Sequence, residues 1–210
     1  MTDIFMFRRA GTLRRFFKRV VIKNKNQTCN SMNWKDWSSW VLSKVTKYCM
    51  DAEEILEIGG YGKELGNFIN GKRFRTLNFP EEDICKKTSF PEEKFDLIYS
   101  KDTFEHLYNP FSAATEIVRI LKEGGFVMII TVWAWRYHRA SDFDDYWRFS
   151  EQALRMLFSD LEILESGYDI SERRKDCRLD GVPVDNLGGW REHWHVYLIG
   201  RKRPRSINRG

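Results

Sequence analysis

The stretch TVWAWRYHRASDFDDYWRFSEQALRMLF concentrates groups that handle protons and charge. His138 carries an imidazole, whose ordinary pKa of about 6.5 lets it take a proton near neutral pH. Asp142, Asp144 and Asp145 add carboxylates, and Arg148 adds a planar guanidinium fork. Trp133, Trp135 and Trp147, with Tyr146, offer a flat wall for an acceptor molecule, and the acidic rim suits a polar or cationic one. The set could align a bound molecule and remove one proton from its hydroxyl or ammonium group. A sugar, an amine and a larger polymer are all open as acceptors. The plain alternative is a loop that fastens itself to the core: Tyr146, Trp147 and Phe149 as anchors, Arg148 paired with an acid, and His138 holding the loop together.

A second candidate is the turn in EEILEIGGYGKELGNFI, where an apolar run containing Glu57 leads into Gly59, Gly60, Tyr61 and Gly62. At the end of a parallel strand, glycines let the backbone approach a ligand, and the amides of the next helix start are free to meet polar groups. Glu57 would sit among those amides, beside a bound sugar hydroxyl or ammonium group. A tight corner in the sheet accounts for the same glycines. His106, just inside a helix start, reads as a capping or packing residue before a catalytic one. His193 and His195 lie two apart on a strand and share a face, as a metal pair would, but no third ligand is near in sequence. His138 with Asp142 and Asp145 could fold round a divalent ion, a spacing that also arises by chance. No metal is expected.

These groups need a scaffold, and the hydrophobic pattern supplies one. EILEI, RFRTLNF, FDLIYS and FVMIITVW read as strands, the last continuously apolar, as in a parallel sheet covered on both faces. Trp34, Trp37, Val41, Val45 and Tyr48 recur at helical steps behind Asp36, and that helix should cover one side of the sheet. A short helix should follow the glycine turn through Phe68. PEEDICKKTSF reads as a loop with one short strand around Ile84. Ala114, Ile117, Ile120 and Leu121 form the inward face of a helix that Gly124 and Gly125 should stop. Ser150 opens a further helix without completing a capping box, since Ala153 stands where a Glu would. LEILESGYDI and HWHVYLIGRKR read as late strands. Strands alternating with helices, then a strand-rich ending, make a three-layer α/β domain.

The 210 residues are enough for one domain with tails. The formal charge of +5 is unevenly spread. Residues 1–26 hold eight Lys or Arg against Asp3, residues 201–210 hold five with no acid, and the remainder has a net charge of −7. An acidic body argues against wrapping nucleic acid, which draws on a continuous basic surface. The expected organisation is therefore a basic arm (1–26), a single domain (27–200) and a basic tail (201–210). The arm suits an anionic membrane surface or a targeting role; a solvated helix resting its Phe and Val residues on the body is the alternative. Cys29, Cys49, Cys85 and Cys177 form no CxxC pair, so a reducing, cytoplasmic setting fits, with peripheral membrane contact through the arm. No run approaches the roughly 18 apolar residues of a membrane span.

The ordered segments ILEIGGYG, FDLIYSKDTFEHL and EIVRILKEGGFVMII resemble the class I S-adenosylmethionine-dependent methyltransferases, particularly those with a methyltransferase type 11 domain, over roughly residues 53–165. The resemblance implies a three-layer Rossmann-like fold with a mostly parallel central sheet and an antiparallel C-terminal strand, and S-adenosylmethionine as cofactor. It implies that Glu57, Gly59, Gly60, Tyr61 and Gly62 lie against the methionine part of the cofactor. Asn78 stands where the family offers an acid to the ribose, although an Asx turn before Pro80 explains it equally. Asp83 and Ile84 match the adenine contact. Ser100, Lys101, Glu105 and His106 fall in the segment that lines the cofactor and faces the acceptor. His138, Asp145, Tyr146, Trp147 and Arg148 match a subset of the family whose histidine and DYWR stretch sit close to the cleft. The chain departs from the pattern in its glycine spacing, in the missing acid at Asn78 and in a short segment between the second and third strands. The expected activity is methyl transfer to a small or modest-sized polar acceptor, a small molecule or a glycan-like one, with His138 as base. A noncatalytic binding or scaffold protein on the same fold is the alternative.

Overall fold

A computed structural model describes residues 37–60, 62–135, 137–169 and 195–204, with the backbone of 178–179 and 182–183. The basic arm, Trp34, Asp36, Tyr61, His193 and residues 205–210 lie outside the described residues.

The first helix, α1 (Trp37–Tyr48), turns Trp37, Val41 and Val45 inward. Burial of each valine is worth about 2 kcal/mol. Strand β1 (Glu54–Ile58) is buried along its whole length, because β2 (Arg73–Leu77) and β3 (Phe95–Lys101) flank it and helices cover its faces. A 3₁₀ turn over Gly66–Ile69 takes the place of the short helix expected after the glycine turn. Helix α2 (Pro110–Ile120) starts where Asn109 accepts a hydrogen bond from Ser112 N–H (3.1 Å) and Pro110 supplies a pre-set φ.

The glycines 124 and 125 do not end α2, as the sequence suggests. The helix stops at Ile120, and Leu121 is already extended and begins β4 (Leu121–Val132). Gly124, at φ +75°, instead shapes the irregular start of that strand. Helix α3 (Glu151–Leu157) begins at Ser150, whose hydroxyl accepts from Ala153 N–H at 3.2 Å, so the single-sided cap forms as read. Strands β5 (Leu161–Tyr168) and β8 (His195–Lys202) complete the main sheet, and β6 (Arg178–Leu179) and β7 (Val182–Pro183) form a separate hairpin. β8 runs two residues into the segment read as a basic tail.

The sheet order is β2-β1-β3-β4-β8-β5. The first four strands are parallel, and β8 runs antiparallel to both β4 and β5. Alternation along the strands feeds two cores. Leu56, Ile58, Ile98 and Ile129 pack with α2 and α3 on one face, while Ile55, Leu97, Met128 and Ile130 pack with α1 on the other. The chain is therefore a three-layer α/β fold, and the carboxyl ends of β1 to β4 all point to one edge.

Residues 78–94 contain no strand; the expected one around Ile84 is replaced by turns. Ile84 and Cys85 are buried there without a ladder, since Glu116 on α2 fastens the loop instead. Its carboxylate accepts from Thr88 N–H (2.8 Å) and the Thr88 hydroxyl (2.6 Å), while Arg119 neutralises it.

Candidate active site

A cleft of about 880 Å³ opens at the carboxyl edge of the sheet, where open α/β sheets bind ligands. Gly59 forms part of its wall. At φ +78° it adopts a conformation that side chains disfavour, and a Cβ there would lie 2.1 Å from Thr103 Oγ1. The bare backbone lets the turn after β1 close on the turn after β3, and Gly59 N–H donates to Leu77 O at 2.9 Å.

Glu57 does not line the cleft; it holds the turn from behind. Its carboxylate is buried and accepts from Gly62 N–H. Burial pushes the carboxyl up to about 7, with Glu64 adding to the rise and Gly62 N–H and Lys101 opposing it. Gly60 leaves room for that carboxylate, because a Cβ at 60 would sit 2.1 Å from Glu57 Oε1. Gly62, at φ +80°, packs against Ile69 and Phe74. Ser100 is also buried away from the cleft, where its hydroxyl donates to Ile58 O (3.0 Å) and joins β1 to β3.

Asn78, Asp83, Ile84 and Lys101 do line the cleft. Burial opposes ionisation of Asp83, but Cys85 N–H, the Tyr108 hydroxyl and Lys86 hold its carboxyl below the ordinary range. Lys101 pairs with Asp102 and approaches Glu64 at 3.8 Å.

The residues read from the sequence as acceptor contacts divide in the same way. His106, Trp135, His138 and Tyr146 face the cleft. Asp145 and Arg148 instead form a staple inside the loop. The Asp145 side chain is fully buried, pairs with the two terminal guanidinium nitrogens of Arg148 and accepts from His138 N–H at 2.8 Å. Arg148 holds that carboxyl down to about 2. Trp147 donates its indole N–H to Leu107 O (2.6 Å), and Trp133 packs on Tyr168 with centroids 5.6 Å apart, so both anchor the loop. The backbone amides of Tyr146 and Trp147 donate to Glu105 O at 2.8 and 3.1 Å, which ties the loop to the segment after β3.

Two constellations join residues far apart in sequence. Asp102, at φ +52°, accepts from His195 Nε2 at 3.0 Å, and His195 Nδ1 lies 3.1 Å from Asp169 Oδ2. Burial alone would lower the imidazole's pKa, but the two carboxylates raise it to about 9. His195 is thus a cation held between acids at the cleft wall. The HWH spacing marked it in the sequence, while nothing there marked Asp102 or Asp169 as its partners.

The second constellation is Glu105, His106 and His138, whose ligand-type atoms all lie within 4.8 Å of one another. Glu105 is fully buried, and Thr131 Oγ1 donates to its Oε2 at 2.6 Å. Its Oε1 lies 3.8 Å from His106 Nε2 and 4.0 Å from His138 Nε2. His106 Nδ1 is 2.7 Å from the Asp144 carbonyl, so that nitrogen carries the proton and Nε2 is the acceptor in the neutral ring. The two imidazoles meet edge to face at 4.8 Å.

Residues 40–129 match the family described as the methyltransferase domain. The fold, with β8 antiparallel beside four parallel strands, agrees with that match. The chain carries a class I methyltransferase-fold domain. A chain of the Haloferax volcanii complex between the Trm112 methyltransferase activator and a provisionally named methyltransferase is 18% identical, with 81% of this chain and 91% of that one covered and a TM-score of 0.51. A provisionally named sarcosine dimethylglycine methyltransferase from Galdieria sulphuraria is 14% identical, with 79% and 85% covered and a TM-score of 0.55. The [4+2]-cyclase SpnF is 15% identical, with 84% and 86% covered and a TM-score of 0.53. No curated protein matches this chain. At these identities the structural likeness establishes the methyltransferase fold alone. No helix among the described residues is long and apolar enough to cross a membrane.

Proposed function

We propose that this methyltransferase-fold domain binds S-adenosylmethionine and transfers its methyl group to a small or modest-sized polar acceptor. The observation that carries the reading is the single cleft that joins the Gly59 wall and the Asn78–Ile84 loop to the His106–His138 pair. The residues fit the cofactor. The Gly59 turn presents backbone where any side chain would collide with Thr103, Asn78 offers an amide to hydroxyl groups, and Asp83 and Ile84 give a polar edge beside an apolar one. They would hold the methionine, ribose and adenine parts respectively.

When bound, the cofactor supplies an electrophilic methyl group on a sulfonium that leaves as a neutral thioether. The chain's own task is then modest. Trp135 and Tyr146 position the acceptor, and His138 Nε2 takes the proton that a hydroxyl or ammonium acceptor must lose. Asp145, bonded to both the backbone and the ring of His138, sets that orientation.

A noncatalytic role on the same fold is the second reading, favoured by Asn78 in place of an acid and by the compressed glycine spacing. The likeness to a cyclase underlines that the fold admits other chemistry. Incubation with methyl-labelled S-adenosylmethionine and a panel of sugars, amines and oligosaccharides tests the first reading. Label transferred by the wild type and lost in His138→Ala supports it, whereas cofactor binding with no transfer to any acceptor favours the second.

A further inference from the structure

Glu105 poses a problem that the methyl-transfer reading leaves unanswered. A carboxylate with no exposed surface needs partners for both oxygens, and only Oε2 has one, from Thr131. Oε1 is buried and makes no hydrogen bond. It points to the space between His106 Nε2 and His138 Nε2, at 3.8 and 4.0 Å, too far for hydrogen bonds to either.

We propose that Glu105 Oε1, His106 Nε2 and His138 Nε2 bind a divalent transition-metal ion, zinc by the chemistry of its ligands, at the acceptor end of the cleft. Two imidazoles and one carboxylate are a donor set of catalytic zinc sites, which keep a fourth position open. Bonds of about 2.0–2.1 Å to a tetrahedral ion would place the ligand atoms roughly 3.3 Å apart. The present separations, all within 4.8 Å, exceed that by about an ångström and a half at most. A shift of that size is of the order that side-chain torsions supply.

The outer contacts are those a metal site needs. Each histidine is fixed through Nδ1, His106 by the Asp144 carbonyl at 2.7 Å and His138 by the Asp145 carboxylate at 3.2 Å, so Nε2 is the ligand atom on both rings. Thr131 orients the carboxylate. The loop that delivers His138 is itself bonded to the backbone of Glu105 through Tyr146 and Trp147. All three ligands line the cleft, so the open position faces the acceptor. A hydroxyl bound there would lose its proton more readily to solvent. The inference rests on the proposed reading of the cleft for its role, and in the metal-bound protein the ion takes over the task given to His138 Nε2.

Zinc and cobalt(II) are the probes. The purified, metal-stripped chain is dialysed against zinc, and the bound metal is measured by atomic spectroscopy. Cobalt(II) titration then follows the visible bands of a tetrahedral complex. The expected result is one ion per chain, with affinity reduced at least tenfold in His106→Ala or His138→Ala and in Glu105→Gln, and abolished in the double histidine variant. Circular dichroism and a cooperative thermal melt verify that each variant is folded, and thermal stabilisation by S-adenosylhomocysteine reports cofactor binding separately. No ion bound to the wild type, or equal binding by the wild type and a folded double variant, overturns the site. S-adenosylhomocysteine binding without metal refutes only the metal site, and metal binding without that stabilisation refutes only the cofactor reading.

Discussion

His195 gives the clearest test of the electrostatics at the cleft wall. Its ring bridges Asp102 at 3.0 Å and Asp169 at 3.1 Å, and only 12% of its side chain is exposed. A pKa raised from 6.5 to about 9 corresponds to about 3 kcal/mol of stability. The sign follows from proton uptake: the folded protein keeps a proton that the unfolded chain has released. The contribution is therefore full below about pH 6.5 and is lost as pH rises through 9. His195→Gln keeps much of the shape but cannot carry the charge. Guanidinium denaturation of the wild type and the variant, from pH 6 to 9.5 without cofactor, measures the difference between them. That difference should shrink by about 3 kcal/mol across the range. A difference that does not change with pH would show that the two carboxylates do not hold a histidinium, and the reasoning would fail.

Other perturbations have equally definite outcomes. Gly59→Val forces a branched side chain to φ +78° and into Thr103, so it should cost about 2 kcal/mol or more and abolish stabilisation by S-adenosylhomocysteine in a thermal melt; an unchanged ligand shift would remove this turn from the cofactor site. Glu57, raised to about 7 from 4.5, makes stability fall as pH rises between those values, and Glu57→Gln should flatten that part of the profile by about 3 kcal/mol. Arg148→Met leaves the buried Asp145 carboxylate without its guanidinium, at a cost of about 3 kcal/mol, and proteolysis should then cut the loop around residues 137–148 faster. Ile117→Ala, fully buried between α2 and the sheet, should lower unfolding free energy by about 3 kcal/mol with little effect on cofactor affinity.

The sheet was legible because its strands carry their burial in sequence. β1 and β3 carry Ile, Leu, Phe and Tyr around a few polar residues, the second half of β4 is nearly all apolar, and the antiparallel closing strand follows from the family resemblance. The loop from 78 to 94 was less legible, since Ile84 and Cys85 are buried by bonds from Thr88 to a distant Glu116 rather than by strand pairing. Residues 133–149 posed a similar difficulty. Their composition announced a polar, aromatic segment, but a loop has no period from which facing can be read. Trp135 and Tyr146 consequently reach the cleft, whereas Trp133, Trp147, Asp145 and Arg148 fasten the loop. His106 and His138 were each visible alone; their convergence on Glu105 depends on β3 and β4 lying side by side, with Thr131 of β4 supporting the carboxylate.

Calorimetric titration with S-adenosylmethionine and, separately, S-adenosylhomocysteine tests the central claim most directly. Saturable one-to-one binding in the wild type, absent from Gly59→Val, is the predicted result. No heat and no thermal stabilisation at high ligand concentration would contradict it, and would leave the class I fold serving some purpose other than methyl transfer.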